Sequence, residues 1–298
     1  MSLEEMRSLI ERHVRPDAST GIDGFRIAKV TRTSPPAPER TGVVMALIVQ
    51  GAKHIALGDR VYEYGAGQYL VASVDMPITG YFSEADEDRP ALGIGLTLHP
   101  NAVAELLLQA APGDLPQPEG TPSAMAVCDA TPELLDAALR LLRLLDRPQG
   151  RDVLAPLIIR EMLWYLITGE QGATVRQLGL ADSSITHIAR AVRWIRENYH
   201  ESFRVDDIAR QAGMSASVFY RSFQAATAMS PIQFQKQIRL QEARIQLAAR
   251  PGDITGVSRR VGYDSPSQFS REYRRQFGVP PSRDALRLRQ PESPPTAD

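Results

Sequence analysis

Two arginines in the C-terminal third of the chain, Arg221 and Arg271, stand at equivalent places in a pattern that occurs twice. The first copy, VDDIARQAGMSASVFYRSFQAATAMSP, runs from Val205 to Pro231, and the second, ITGVSRRVGYDSPSQFSREYRRQFGVPP, from Ile254 to Pro281. A guanidinium one turn into a helix lying in a DNA major groove can reach guanine O6 and N7 with two parallel hydrogen bonds, worth roughly 1–3 kcal/mol of base discrimination. With Asp264 treated as a one-residue insertion, Ser217 falls opposite Ser267, Tyr220 opposite Ser270, and Arg221 opposite Arg271. These positions, with Gln268, share the polar face of each second helix. Tyr220 can pack over a thymine methyl or the sugar backbone. Ser217 and Ser267, near the helix N-termini, can donate to phosphate oxygens and set register. Arg274 and Arg275 suit phosphate better than bases.

Those side chains need a scaffold, and the flanking residues describe one. Each copy opens with a short amphipathic helix, its apolar positions on one face: Val205, Ile208 and Ala209 in the first, Ile254 and Val257 in the second. Gly213 and Gly262 follow, where a sharp stop calls for the left-handed backbone that glycine adopts most readily. Ser215 and Ser265 stand at the N-cap of the next helix. Phe219 and Phe223, then Phe269 and Tyr273, supply its apolar face. Between the copies, Ile232 to Ala249 contains neither proline nor glycine, and Ile238, Ala243, Ile245 and Leu247 alternate with Arg239, Glu242 and Arg244 as in a partly exposed helix. Eighteen residues span roughly 27 Å, comparable to the ~34 Å repeat of the duplex.

Helix-turn-helix geometry also occurs in plain bundles that bind no DNA, and charge separates the two readings. From Ser184 to Gln290 there are 18 Lys and Arg against 9 Asp and Glu, a net of +9, while Met1 to Ser183 carries 16 against 24, a net of −8. The whole-chain value of −1 conceals this asymmetry. A basic half built almost entirely on arginine suits phosphate and guanine; an acidic half does not.

The double motif, with GMSASVFYRSF, the joining run QKQIRLQEARIQLA, and RVGYDSPSQFSREYRRQFGVPPS, closely resembles the DNA-binding domain of the AraC/XylS family of transcription regulators. The resemblance covers about 100 residues. It implies two helix-turn-helix units bridged by one long helix, reading two successive major-groove segments on one face of double-stranded DNA. It also implies an opening helix, matched by ITHIARAVRWIRENY from Ile185 to Tyr199, whose Arg190, Arg193 and Arg196 form either phosphate contacts or a solvated basic face. Family members often contact RNA polymerase to activate transcription. The sequence departs from the pattern at Ala228, opposite Gly278, and at Ser258 and Arg259, where small or apolar residues are usual.

Between about Gly24 and Leu98 the pattern alternates instead. GFRIAKV, TGVVMALIVQG, HIALGD, RVYEYG, GQYLVAS, ITGYF and ALGIGLTL are short β-rich runs punctuated by Gly, Asp and Pro, which suggests a barrel or sandwich. QGAKHIALGD and GDRVYEYGAGQYLVASVDMPITG resemble the cupin-like N-terminal domain found in one branch of the same family, where it receives a signal. The expected fold is therefore α+β: an N-terminal cupin-like β-barrel with packed helices (1–183), a C-terminal all-α double helix-turn-helix domain (184–290), and a Pro-rich disordered tail (291–298).

Tyr62, Tyr64, Tyr69 and Tyr81, with Met45 and Met76, line either an effector pocket or a filled core, and the ligand's chemistry is unreadable. A cupin-like barrel also admits an enzymatic alternative, a metal enzyme or ligand-binding module whose helical half mediates assembly. The five histidines are scattered, however, so a site from His54, His99 and Glu63 is the weaker option; no cofactor is expected. Cys128, the single cysteine, forms no disulfide within the chain and reads as an inert thiol rather than a sensor.

From Asn101 to about Tyr199 the chain reads as helical. Leu134, Leu135, Ala138, Leu141, Leu142 and Leu145 form one apolar stripe and Leu154, Leu157, Ile158, Leu163, Trp164 and Leu166 another. These either pack on the barrel or bury themselves against a second chain as a homodimer. GEQGATVRQLGLADSS (169–184) reads as a connector. The start, MSLEEMRSLIERHVRP, is a charged amphipathic helix rather than a signal sequence, and no apolar run approaches the ~20 residues of a membrane span; the expected location is the cytoplasm.

Overall fold

The structure, a computed structural model, describes residues 2–33, 35–111, 113–116, 123–180, 183–250 and 252–289. The expected tail (291–298) and residues 112 and 117–122 lie outside them.

The N-terminal half opens with helix α1 (Ser2–His13), then strands β1 (Phe25–Val30), β2 (Ala37–Arg40), β3 (Val44–Gln50), β4 (Ala52–Leu57), β5 (Arg60–Gly65), β6 (Gln68–Ala72), β7 (Pro77–Glu84) and β8 (Ala91–Thr97). Helix α2 (Pro100–Gln109), strand β9 (Met125–Asp129) and helices α3 (Pro132–Arg143), α4 (Arg151–Thr168) and α5 (Gly172–Gly179) follow. The strands form two antiparallel sheets, one ordered β1-β8-β3-β6-β9 and the other β2-β7-β4-β5. Seven strands coincide with the runs legible in the sequence. Two do not: β2 sits amid prolines, and β9 carries Cys128 inside the stretch expected to be helical. Residues 172–179 form α5 where a connector was expected.

The centre of the five-stranded sheet, β3 and β6, is covered on both faces, which explains why β3 is a near-continuous apolar run, whereas edge strand β1 leaves Arg26, Ala28 and Lys29 exposed. Met45, Leu47 and Val49 point into a layer containing Met6 and Ile10 of α1, Leu141 of α3 and Leu166 of α4. Ile48, Leu70 and Ala72 point the other way, toward Ile55, Leu57 and Ile78 of the second sheet. The candidate pocket residues follow the same division. Met45 and Tyr69 are buried in the first cluster and Tyr64 and Met76 in the second, as members of packed cores. Cys128 is buried beside Tyr69, and burial pushes its thiol up to about 11, far from the thiolate a sensor needs.

The C-terminal half is helical: α6 (Ser184–Glu197), α7 (Val205–Gln211), α8 (Ala216–Thr227), α9 (Pro231–Ala249), α10 (Ile254–Arg260), α11 (Pro266–Phe277) and α12 (Pro281–Arg289). The core between the two sheets runs on without a break into α6, α8 and α9 through Ile188, Phe219, Phe223 and Phe234. A separate cluster, with Leu240, Leu247, Val257, Phe269 and Tyr273, holds α9, α10, α11 and α12 together. Polar contacts reinforce the junction of the halves. Asp75 accepts from Arg40 (2.8 Å), from the amide of Gly42 (3.1 Å) and from Arg196, and Gln241 donates across to the carbonyl of Ile78 (3.1 Å). Arg196 is thus a bridge between the halves, not part of a free basic face.

Among the described residues no helix is long and apolar enough to cross a membrane.

Candidate nucleic-acid interface

The two turns are built alike. Gly213 (φ 74°) and Gly262 (φ 88°) both take the left-handed conformation. In each, the glycine amide donates three residues back, Gly213 to Arg210 and Gly262 to Arg259 (both 3.0 Å). The next amide closes the longer loop, Met214 to the Ala209 carbonyl and Tyr263 to that of Ser258 (both 2.9 Å). This double bond pattern satisfies the last carbonyls of the first helix and aims the second. Asp264 then stands as the extra residue before Ser265. Ser265 caps α11, its hydroxyl accepting from the Gln268 amide (3.3 Å), whereas Ser215 occupies the cap position of α8 without making that bond.

Phe219 and Phe223 on α8, and Phe269 and Tyr273 on α11, are buried, so the opposite face of each helix is turned outward. Ser217, Tyr220 and Arg221 are exposed on α8, and Ser267, Gln268, Arg271 and Arg274 on α11; Ser270 is half-buried. Gln268 is held by the Glu272 carboxylate, to which its side-chain amide donates (3.1 Å). Glu272 also accepts from Lys236 (2.9 Å) and Tyr263 (2.8 Å). Burial works against its charge, but these hydrogen bonds outweigh it and hold the carboxyl below its ordinary range.

The arginines divide by partner. Arg239 donates to the carbonyls of Tyr199 (2.6 Å), Gly262 (2.7 Å) and Glu201 (2.9 Å), and Arg244 donates to the buried Asp284 (2.9 Å) over the Phe277 ring. Arg260 is tied to Asp253 and Gln246. These guanidiniums are structural, including Arg239 and Arg244, which the sequence pattern placed on an exposed face of α9. The guanidiniums of Arg221, Arg271, Arg274 and Arg275 make no hydrogen bond or ion pair among the described residues, and these residues sit at exposed positions. An arginine with no internal partner keeps all five donors for a ligand.

Helix α9 links the units. Ser230 and Gln233 form a capping box at its start, with the Gln233 amide donating to the Ser230 hydroxyl (3.2 Å) and the Ser230 amide to the Gln233 side chain (2.9 Å). Its 19 residues run for roughly 28 Å.

The metal-site candidates are not brought together. His54 lies 3.4 Å from Glu63 and stacks on Tyr81, while His99 stands at the N-cap of α2. Among the described residues no group of three His, Cys, Asp or Glu side chains is placed to hold a metal.

Residues 21–174 match the family model for an AraC-type transcriptional regulator N-terminus, and residues 208–286 match a helix-turn-helix domain. The chain is 28% identical over 171 residues to the virulence regulon transcriptional activator VirF of Yersinia enterocolitica, covering 56% of this chain and 61% of that protein. It is 29% identical over 154 residues to the HTH-type transcriptional regulator ExsA of Pseudomonas aeruginosa, covering 52% and 55% respectively. The matched parts thus span less than two-thirds of these relatives. The fold is also that of ToxT from Vibrio cholerae O395, solved bound to (E)-4-(8-methylnaphthalen-1-yl)but-3-enoic acid. There the TM-score is 0.51 at 10% identity, over 89% of this chain and all of ToxT (100%).

Proposed function

Because this chain belongs to the AraC-type transcriptional regulators, we propose that it is a sequence-specific DNA-binding activator, not an enzyme, whose two helix-turn-helix units read successive major-groove segments. The observation that carries the reading is the pair of arginines, Arg221 and Arg271, whose guanidiniums have no partner among the described residues, at equivalent exposed positions on two helices joined by one continuous helix. Arg221 and Arg271 contact guanine; Ser217, Tyr220, Ser267, Gln268 and Ser270 contact neighbouring bases or sugar-phosphate; Arg274 meets phosphate. Gln268 must exchange its bond to Glu272 for one to DNA.

In this account residues 1–183 are the regulatory half and 184–290 the DNA-binding half. A small-molecule effector acts on the first, in keeping with the acid bound to ToxT, and the close junction at Asp75 and Gln241 carries its effect to the second. The name of VirF supports activation, which entails a contact with RNA polymerase. A homodimer fits the α4 stripe, whose second half is buried while Val153, Leu154 and Leu157 remain exposed. The cytoplasm, where the DNA is, is the proposed location.

Selection of bound duplexes from a random pool tests the reading. A bipartite motif with its halves about one helical turn apart is expected. Recovery of unenriched sequence, with binding that merely weakens as salt rises, would refute it. Light scattering over a dilution series tests the dimer, and a monomer at micromolar protein would exclude it.

A further inference from the structure

A cavity of about 600 Å³ opens between the loop before β1, the end of β8, α2 and the part of α4 from Arg151 to Leu163. It lies outside the two-sheet core and away from both helix-turn-helix units. Its walls are mainly apolar, with Leu96 of β8 facing Leu157 and Leu163 of α4. That size and lining suit a small organic molecule.

One polar group in it is out of place. Arg151 is the first residue of α4, where the helix dipole disfavours a cation. Its Nε is buried without any hydrogen-bond acceptor. The nearest carboxylate oxygen, on Asp152, is 3.9 Å from that nitrogen and belongs to a side chain that is 96% exposed. The guanidinium lies over the backbone at Gly21, where an added Cβ would stand 3.1 Å from Nη1. The side chain as a whole is 28% exposed, so it is Nε alone that is buried, and among the described residues no carboxylate oxygen lies within hydrogen-bonding distance of that nitrogen.

The lining carries three carboxylates, Asp23, Glu105 and Asp152, beside the guanidiniums of Arg151 and Arg160, and both Asp23 and Asp152 are turned to solvent. Arg160 donates to Gln109 (2.6 Å) and lies 3.7 Å from Glu105, so the two brace the wall. Asp23 is exposed at the rim. His99, an exposed residue, lines the same space and makes no capping bond to α2.

We propose that this cavity is the effector site, and that it takes an organic monoanion whose carboxylate pairs with Arg151 while an apolar body fills the space between Leu96, Leu157 and Leu163. This assignment rests on the regulator reading for its meaning but not for its chemistry. A carboxylate there supplies the acceptor that Arg151 lacks, in a setting where charged hydrogen bonds are strong. The apolar walls favour a body that water solvates poorly.

Calorimetric titration of the full chain with sodium phenylbutyrate, and with phenylbutyramide as its uncharged counterpart, tests the proposal. The acid should bind saturably at one site, and both the amide and Arg151→Met should weaken binding by at least about tenfold, with Arg151→Lys intermediate. Failure of the acid to saturate the unaltered protein at millimolar concentration, equal binding of acid and amide, or unchanged affinity in Arg151→Met would each overturn it. The same samples are titrated with the selected duplex. Intact duplex binding beside absent acid binding removes the effector site alone, and shows that Arg151→Met is folded. Acid binding as expected, with no duplex selected, removes the regulator reading and leaves the site.

Discussion

The two helix-turn-helix units share a turn geometry but differ in what lies beneath them. The first rests on the core between the β-sheets, so Phe219 and Phe223 pack in one continuous cluster with Ile48, Ile55 and Leu70. The second closes on its own cluster around Phe269 and Tyr273, pinned by the buried Asp284. Like sequence patterns therefore yield one unit packed directly on the N-terminal half and one that packs chiefly within the C-terminal half. In the proposed function, a signal received by the N-terminal half reaches the first unit by a direct packed route and the second through α9 and the Tyr199–Glu201 segment that meets the Gly262 turn.

The glycines at the two turns separate the units most sharply. A Cβ at Gly262 would lie 2.3 Å from the His200 carbonyl oxygen and 2.9 Å from Arg239, whereas at Gly213 the nearest atom is a His187 ring carbon at 3.7 Å. Gly262→Ala should therefore destabilise the second unit by about 3 kcal/mol or more. Gly213→Ala should cost only the left-handed backbone, about 1–2 kcal/mol. Urea unfolding of both variants checks this, and equal losses would mean that the turns are packed alike.

Asp284 comes next. It accepts from Arg244 (2.9 Å) and from the Tyr273 hydroxyl (2.8 Å), and burial together with that carboxylate raises the tyrosine well above its ordinary value. Asp284→Ala strands both donors and should cost roughly 2–3 kcal/mol. Hydrogen exchange should speed up in α11 and leave α8 protected. Faster exchange in both helices would show that the cores are not separate.

The converse variant is Asp75→Ala, which frees Arg40 and Arg196 at the junction. These groups are partly exposed, so the expected loss is about 1 kcal/mol, read as faster exchange in α6 and α8 with α11 unchanged. The smallest effect is at the helix ends. Ala228 is left-handed (φ 57°) where the second unit has Gly278 (φ 74°). Ala228→Gly should stabilise the first unit by a few tenths of a kcal/mol, since the strain relieved slightly exceeds the entropy lost by glycine. A measurable loss of melting temperature would contradict this.

Much of this was legible in the sequence because it is local. Periodicity, Gly213 and Gly262, and paired aromatics define the helix-turn-helix units within windows of about 25 residues. Seven of the nine described strands could be read from alternation and turn residues. What stayed hidden depends on distant partners. Strand β9 is a strand because Leu70 and Val71 of β6 pair with Val127 and Ala126, across a loop that looks like a simple linker. Residues 172–179 look like linker because glycines stand at both ends of the short run that forms α5. Arg239, Arg244 and Arg196 look like surface cations until their acceptors, Tyr199, Asp284 and Asp75, arrive from elsewhere in the chain. For the same reason, sequence alone could not distinguish these structural arginines from Arg221 and Arg271.

The central claim is that those two arginines read bases in separate groove segments, and it is tested most directly on the duplex recovered by selection. Arg221→Ala and Arg271→Ala are each titrated against that duplex and against versions substituted in one half at a time. Each variant should lose discrimination of about 1–3 kcal/mol in a different half, about one helical turn apart, while keeping its preference in the other. If both variants weaken binding equally and leave preference in both halves intact, the arginines contact only phosphate and the two-reader account is wrong.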